Sequence, residues 1–170
     1  KIKQILHSLT LSPLGDGWVD AMSFKTEFET IVAELNQSKE FVQILSSGEE
    51  FPQEAFYDMR ETLQKISIEG MFIEETELFN LRRSLDTIGK IVMFFNEKEE
   101  EEYFYLKDLA KDVFTFRDII RMIDRILDKF GHIKDDATPE LKNIRQSILS
   151  LQSNISKTIS SIMRIAQENG

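Results

Sequence analysis

A 170-residue chain with 41% apolar and 30% charged side chains matches a helical globular protein and not a disordered segment. Its net charge of −9 lies in the first 130 residues, because residues 131–170 hold 5 basic and 4 acidic side chains; such an acidic body repels nucleic acid, whose binding rests on releasing counterions to a basic surface. Cysteine is absent and no apolar run approaches the ~20 residues of a membrane span, which excludes disulfides, thiolate metal sites and a membrane-spanning helix.

No signal-peptide pattern opens the chain, so a cytoplasmic location is expected. The chain starts at Lys1 without a Met, inside the helical pattern Ile2, Ile5, Leu6, Leu9, and reads as a piece of a longer protein. Ser12-Pro13 joins a capping hydroxyl to a proline at the first helical position. It predicts a short helix to about Met22, with Leu14, Trp18 and Val19 on the apolar side. Gly15 and Gly17 weaken that helix. They read either as a close approach of another backbone or, the favoured reading, as exposed glycines in a marginal helix. A helix from about 26 to 46 carries Phe28, Ile31, Leu35, Val42 and Leu45, and Gly48 suits the position after its end.

Phe51-Pro52 marks a turn. A helix from about 54 to 65 follows, then an extended connection over 68–73 with a turn at Gly70. Leu78, Leu81, Leu85, Ile88, Val92 and Phe95 hold heptad spacing, and Phe79, Ile91 and Phe94 widen the stripe, so this helix is expected to be covered on more than one side. Asn96–Glu102, with five glutamates, reads as a solvated connection. A short helix over about 104–112 precedes another from Thr115, with Asp118 as its capping-box partner, to about Lys129.

The rest of the chain is organised around the junction from Gly131 to Thr138 and the helix that follows. Thr138 can cap that helix, Pro139 fits its first position, and Glu140 meets the positive end of its dipole. Apolar residues then recur at Leu141, Ile144, Ile148, Leu151, Ile155, Ile162 and Ile165, a coiled-coil seam broken by Thr158. A helix over 139–168 is roughly 45 Å long at ~1.5 Å per residue, so its far end is expected to project as an arm. Gly131, Asp135, Thr138 and Pro139 are the junction residues that set its base. The expected fold is all-α: an irregular helical bundle over 1–130, a junction loop over 131–138, and a long lever-like helix over 139–170.

Few residues suggest chemistry. Arg117, Arg121, Arg125 and Lys129 step by four and form a basic ridge that can face phosphate or an acidic partner. The favoured alternative is a surface helix whose cations pair with Asp118, Asp124 and Asp128, each pair worth tenths of a kcal/mol. Arg82-Arg83 reads as a solvated edge. A di-iron bundle needs a Glu three residues before each His, but Gln4 precedes His7 and Lys129 precedes His132, so no metal site is expected. No nucleophile set and no phosphate-binding loop is present. No catalytic residue and no cofactor is expected in this chain.

Three stretches resemble the MutS family: Ser-Pro-Leu-Gly at 12–15, Leu-Phe-Asn-Leu-Arg-Arg-Ser-Leu at 78–85, and the run from Ile126 to Arg145 with its Gly-His-Ile-Lys-Asp turn and Ala-Thr-Pro-Glu-Leu. The likeness is to the second bacterial branch, which lacks the mismatch-reading domain and often carries an Smr nuclease domain. It implies that this chain is the helical core with the start of the lever arm. It further implies a parent with an ABC-type ATPase using ATP and Mg, dimerised, whose levers end in clamps that grip DNA. That branch is linked to restraint of recombination, to branched DNA and, in some bacteria, to collided ribosomes. No catalytic or nucleotide-binding residue carries over to these positions. The lever seam needs a partner, which folding back or another chain can supply; dimerisation through Leu151, Ile155, Ile162 and Ile165 is the expectation. A helical protein–protein interaction module without a DNA role is the competing expectation.

Overall fold

Most stretches in which apolar residues recur at three- and four-residue steps are helical in the computed structural model, which describes residues 1–54 and 56–168. Eight helices occur among the described residues: α1 (Ile2–His7), α2 (Pro13–Ala21), α3 (Phe28–Ser47), α4 (Arg60–Ile66), α5 (Glu75–Asn96), α6 (Phe104–Ala110), α7 (Arg117–Ile126) and α8 (Pro139–Glu168). No strand is found among them, only an isolated antiparallel bridge between Leu127 and Ile133. The fold is all-α, with the long C-terminal helix in place. No helix among the described residues is long and apolar enough to cross a membrane. The chain divides into two compact units, Lys1–Ile123 and a second that begins at Asp124.

The core of the first unit is small and aromatic. Ile44 of α3 is fully buried, with Phe95 of α5 and Tyr103 beside it. Phe51, in the loop after α3, meets Phe41 edge-on at 5.2 Å and Phe94 at 5.3 Å, and Phe94 meets Phe95 at 5.3 Å. Each such contact adds about 0.5–1.5 kcal/mol beyond the burial of its area. α5 is half-buried nearly all round, as its broad apolar face requires. Many other large apolar side chains of this unit lie open, including Trp18, Phe24, Phe28, Phe72 and Phe114.

α6 packs on both α3 and α5, and its first turn is held by a side chain from α3. The two carboxylate oxygens of Glu40 accept from the Tyr105 and Leu106 backbone N–H groups at 3.1 and 2.9 Å. These are two of the four donors that a helix start leaves without an internal partner. Tyr103, just before them, is the described non-glycine residue with a left-handed backbone, φ 55°. The glutamate-rich connection is tied down more than its charge suggests. Lys98 pairs with Glu49 and lies 4.7 Å from the centre of the Phe94 ring, and the Lys107 ammonium donates to the Lys98 carbonyl at 2.8 Å.

Three local expectations change. Of the expected helix over 54–65, residue 55 lies outside the described residues, and helix begins only at Arg60. Before it, the Tyr57 backbone N–H donates to the buried Ser84 hydroxyl at 3.0 Å, a long-range bond that the sequence pattern cannot show. Arg83 is half-buried, not a solvated edge: its guanidinium donates to the Tyr57 hydroxyl at 2.6 Å and lies over the Tyr57 and Phe79 rings. At Gly15 it is a side chain, not another backbone, that comes close, since an added Cβ would sit 3.2 Å from the Thr10 Cβ, whereas Gly17 faces open space.

The Glu40 cap gives a direct test. Glu40→Ala is expected to lower stability by about 0.5–2 kcal/mol, the range for a lost helix cap, and Glu40→Gln by less because one acceptor oxygen remains. Urea denaturation of both variants checks the order.

Candidate functional site

The second unit holds the junction and α8, where the sequence places its most specific pattern. After Ile126 the chain leaves the helix. The Lys134 backbone N–H donates to the Ile126 carbonyl at 2.8 Å, and its ammonium to the Asp124 carbonyl at 2.6 Å. Two carbonyls of a helix end, which have no intrahelical partner, are thereby satisfied. Leu127 is buried and bridges to Ile133.

Asp128 organises the turn between them. One of its carboxylate oxygens accepts from the backbone N–H groups of Phe130 at 2.8 Å and His132 at 2.9 Å. Its own N–H donates to the His132 carbonyl at 2.8 Å, and its carbonyl accepts from Gly131 at 3.1 Å. Gly131 has φ 89°, a backbone that side chains with a Cβ rarely adopt. The His132 N–H, above all, holds the Asp128 carboxyl below its usual 3.8. An Asp followed three residues later by Gly is a turn signal with a mechanism, since Asp bonds the backbone ahead of it. Charge spacing alone makes Asp128 an ion-pair partner of the ridge and misses this role.

The base of α8 is tied to the same turn. The Thr138 hydroxyl accepts from the Leu141 N–H at 3.1 Å, with Pro139 at the first helical position. Asp135 pairs with Arg145, which reaches back from the second turn of α8 and also donates to the Ile133 carbonyl at 3.4 Å. Gly131, Asp135, Thr138 and Pro139 therefore belong to one local network, together with Asp128, Lys134 and Arg145.

The basic ridge is shorter than its spacing suggests. Arg117 and Arg121 lie in the first unit and are exposed, with Arg121 paired to Asp118 at 3.1 Å. Arg125 is exposed on the last turn of α7. Lys129 lies beyond the helix end, its ammonium 4.9 Å from the centre of the Phe130 ring. The expected helix from Thr115 to Lys129 runs only from Arg117 to Ile126, its end set by the chain turning at Leu127 to meet Ile133. No group of three or more His, Asp or Glu side chains among the described residues is placed to hold a metal ion.

α8 is a continuous helix in which, among the described side chains, only those of the first two turns are partly covered. Leu141 and Arg145 are half-buried, and every residue from Gln146 to Gln167 is exposed. Ile144, Ile148, Leu151, Ile155, Ile162 and Ile165 thus present an open stripe, with Ile155 59% exposed. At 3.6 residues per turn the stripe passes through Ile159, 52% exposed, one position beyond Thr158. Thr158 turns its hydroxyl back to the Asn154 carbonyl at 2.9 Å. Ile144, Ile148, Leu151 and Ile155, then Ile155, Ile159, Ile162 and Ala166, repeat every 11 residues. That period matches a nearly straight helix better than the heptad that runs through Thr158 and Ile165.

Along almost all of its length the chain is similar to bacterial proteins named Endonuclease MutS2. The protein of Halalkalibacterium halodurans is 25% identical over 165 residues, covering 95% of this chain and 21% of the relative. That of Levilactobacillus brevis is 26% identical, covering 96% and 21%, and that of Latilactobacillus sakei subsp. sakei is 29% identical, covering 95% and 21%. The chain spans about a fifth of the length of these curated relatives. No family model and no solved structure matches. The resemblance read from 12–15, 78–85 and 126–145 is borne out over nearly the whole chain.

The junction makes a pH-dependent prediction. Because the Asp128 carboxyl is depressed in the folded state, its contribution is present above the usual 3.8 and is lost as pH falls through the lower folded value. Amide exchange at Phe130 and His132 is expected to accelerate over that acidic range beyond the intrinsic trend. Asp128→Ala is expected to accelerate it already at neutral pH, whereas Asp128→Asn retains an acceptor and much of the protection.

Proposed function

Taking the likeness of nearly the whole chain to the MutS2 branch of the MutS family as premise, we propose that these residues are the helical core and outgoing lever helix of a DNA-maintenance ATPase. In this reading the parent protein, acting in the cytoplasm, binds ATP and Mg at sites outside these 170 residues. α8 carries the resulting motion toward a clamp that grips duplex or branched DNA. The chain itself catalyses nothing; it transmits. What supports the reading most is α8: a helix of 30 residues whose side chains beyond Arg145 are all exposed where described, on a base fixed by the Asp128 turn and the Asp135–Arg145 pair. A stiff element with a fixed root and an open apolar face suits force transmission beside a partner helix. In the chain alone, a second copy is the partner that can cover that face, giving a homodimer.

A helical interaction module without a DNA role is the second reading. The open stripe of α8 and the acidic first 130 residues favour it, because both suit a protein partner and the charge opposes nucleic acid.

DNA binding by the full-length parent, with and without ATP, beside the same assay on this chain, separates the readings. The transmission reading expects ATP-dependent binding of duplex or branched DNA by the parent and none by the chain. Binding by the chain alone, with a steep salt dependence, would assign a contact role to Arg117, Arg121 and Arg125 and contradict it. No binding by either protein would move the interaction module ahead.

A further inference from the structure

α1 and α2 pack against each other with little apolar burial. Val19 is their buried hydrophobic residue and Leu6 and Leu14 are half-buried, whereas Ile2, Ile5, Leu9, Leu11 and Trp18 are open to solvent. Polar contacts therefore carry an unusual share of this pairing. At their centre is His7, the last residue of α1. Its Nδ1 lies 2.8 Å from Oδ1 of Asp16, and its Nε2 lies 3.0 Å from Oδ1 of Asp20. Asp16 and Asp20 are four residues apart on α2 and so share one helix face.

The chemistry of the ring decides what this geometry means. A neutral imidazole has one N–H and one lone pair, so it can donate to one carboxylate only and must turn its lone pair toward the other. An imidazolium donates at both nitrogens. We propose that His7 is a pH-sensitive clamp, holding α1 on α2 as an imidazolium and releasing it as a neutral ring.

The surroundings fit a built clamp. The Thr10 hydroxyl donates to the same Asp16 oxygen at 2.6 Å, which fixes that carboxylate. Gly15 lets α2 approach Thr10 closely enough for this contact. The charged groups bonded to the ring are Asp16 and Asp20 on α2; Lys3 on α1 donates from its ammonium to the Asp20 carbonyl at 2.8 Å. The Asp16 hydrogen bond, with help from Asp20, raises the His7 pKa above its ordinary 6.5. Asp16 is held below its ordinary 3.8, by Thr10 first and His7 second. The sign follows. His7 contributes fully below its ordinary value and its contribution disappears as pH rises through the raised folded value; Asp16 contributes above its ordinary value and is lost as pH falls through its lowered one. The clamp is closed in mildly acidic solution and opens as pH rises past the His7 transition.

The test uses the 170-residue chain. An NMR titration follows the His7 ring proton, assigned by its loss in His7→Gln, and amide exchange of α1 is measured over the same pH range with intrinsic rates divided out. The expected results are a His7 pKa above 6.5, a downward shift of that pKa in Asp20→Asn, and α1 protection that falls with the His7 transition in the native chain but shows no such transition in His7→Gln. A His7 that titrates at or below 6.5 in the native chain would overturn the proposal, and so would α1 protection that does not change across the transition.

Discussion

An apolar stripe on a helix surrounded by water is the constraint on which the rest of this structure turns. In proteins, helices owe most of their stability to packing of an apolar face. Beyond Arg145, the apolar face of α8 is exposed wherever it is described. Each half-exposed isoleucine forgoes about 1–2 kcal/mol that full burial would supply. A row of them repeated along the helix is thus a standing drive toward association. The polar side of the same helix, rich in Ser, Asn and Gln, carries few charges to oppose it.

The root of the helix is built in the opposite manner. Residues 124–145 bond mainly to one another, through the Asp128 turn, the Lys134 contacts to the end of α7, the Thr138 cap and the Asp135–Arg145 pair. None of these bonds reaches beyond residues 124–145. The first unit shows a related contrast. Its aromatic core around Ile44, Phe95 and Tyr103 is closed, yet Trp18, Phe24, Phe28 and Phe114 remain open.

What the sequence revealed depended on how local the physics was. The helices over 75–96 and 139–168 were legible because long apolar periods lie within the segments themselves, and Thr138-Pro139 marks the start of the second. The start of α4 was not, because the Tyr57 N–H is held by Ser84, 27 residues away. The end of α7 was missed because a basic side chain every four residues continues to Lys129, while Leu127 had already turned to pair with Ile133. Asp128 was visible but misread: charge counting made it an ion-pair partner, whereas its carboxylate bonds two backbone N–H groups. The seam of α8 was found, but a seven-residue template placed its gap at Thr158 and hid Ile159, which the 3.6-residue turn brings into line. The helical frame was therefore read from periodicity, the junction only in part, and side-chain ties such as Glu40 to α6 not at all.

The central claim is that the α8 stripe is an interface awaiting a partner. Sedimentation velocity of the 170-residue chain across a wide concentration range tests it most directly, beside a variant with Leu151→Ser and Ile155→Ser. The account predicts self-association that grows with concentration in the native chain and is lost in the variant. A native chain that stays monomeric at every concentration, with the amides of α8 protected from exchange, would mean that its own chain already covers the stripe, and would contradict the account.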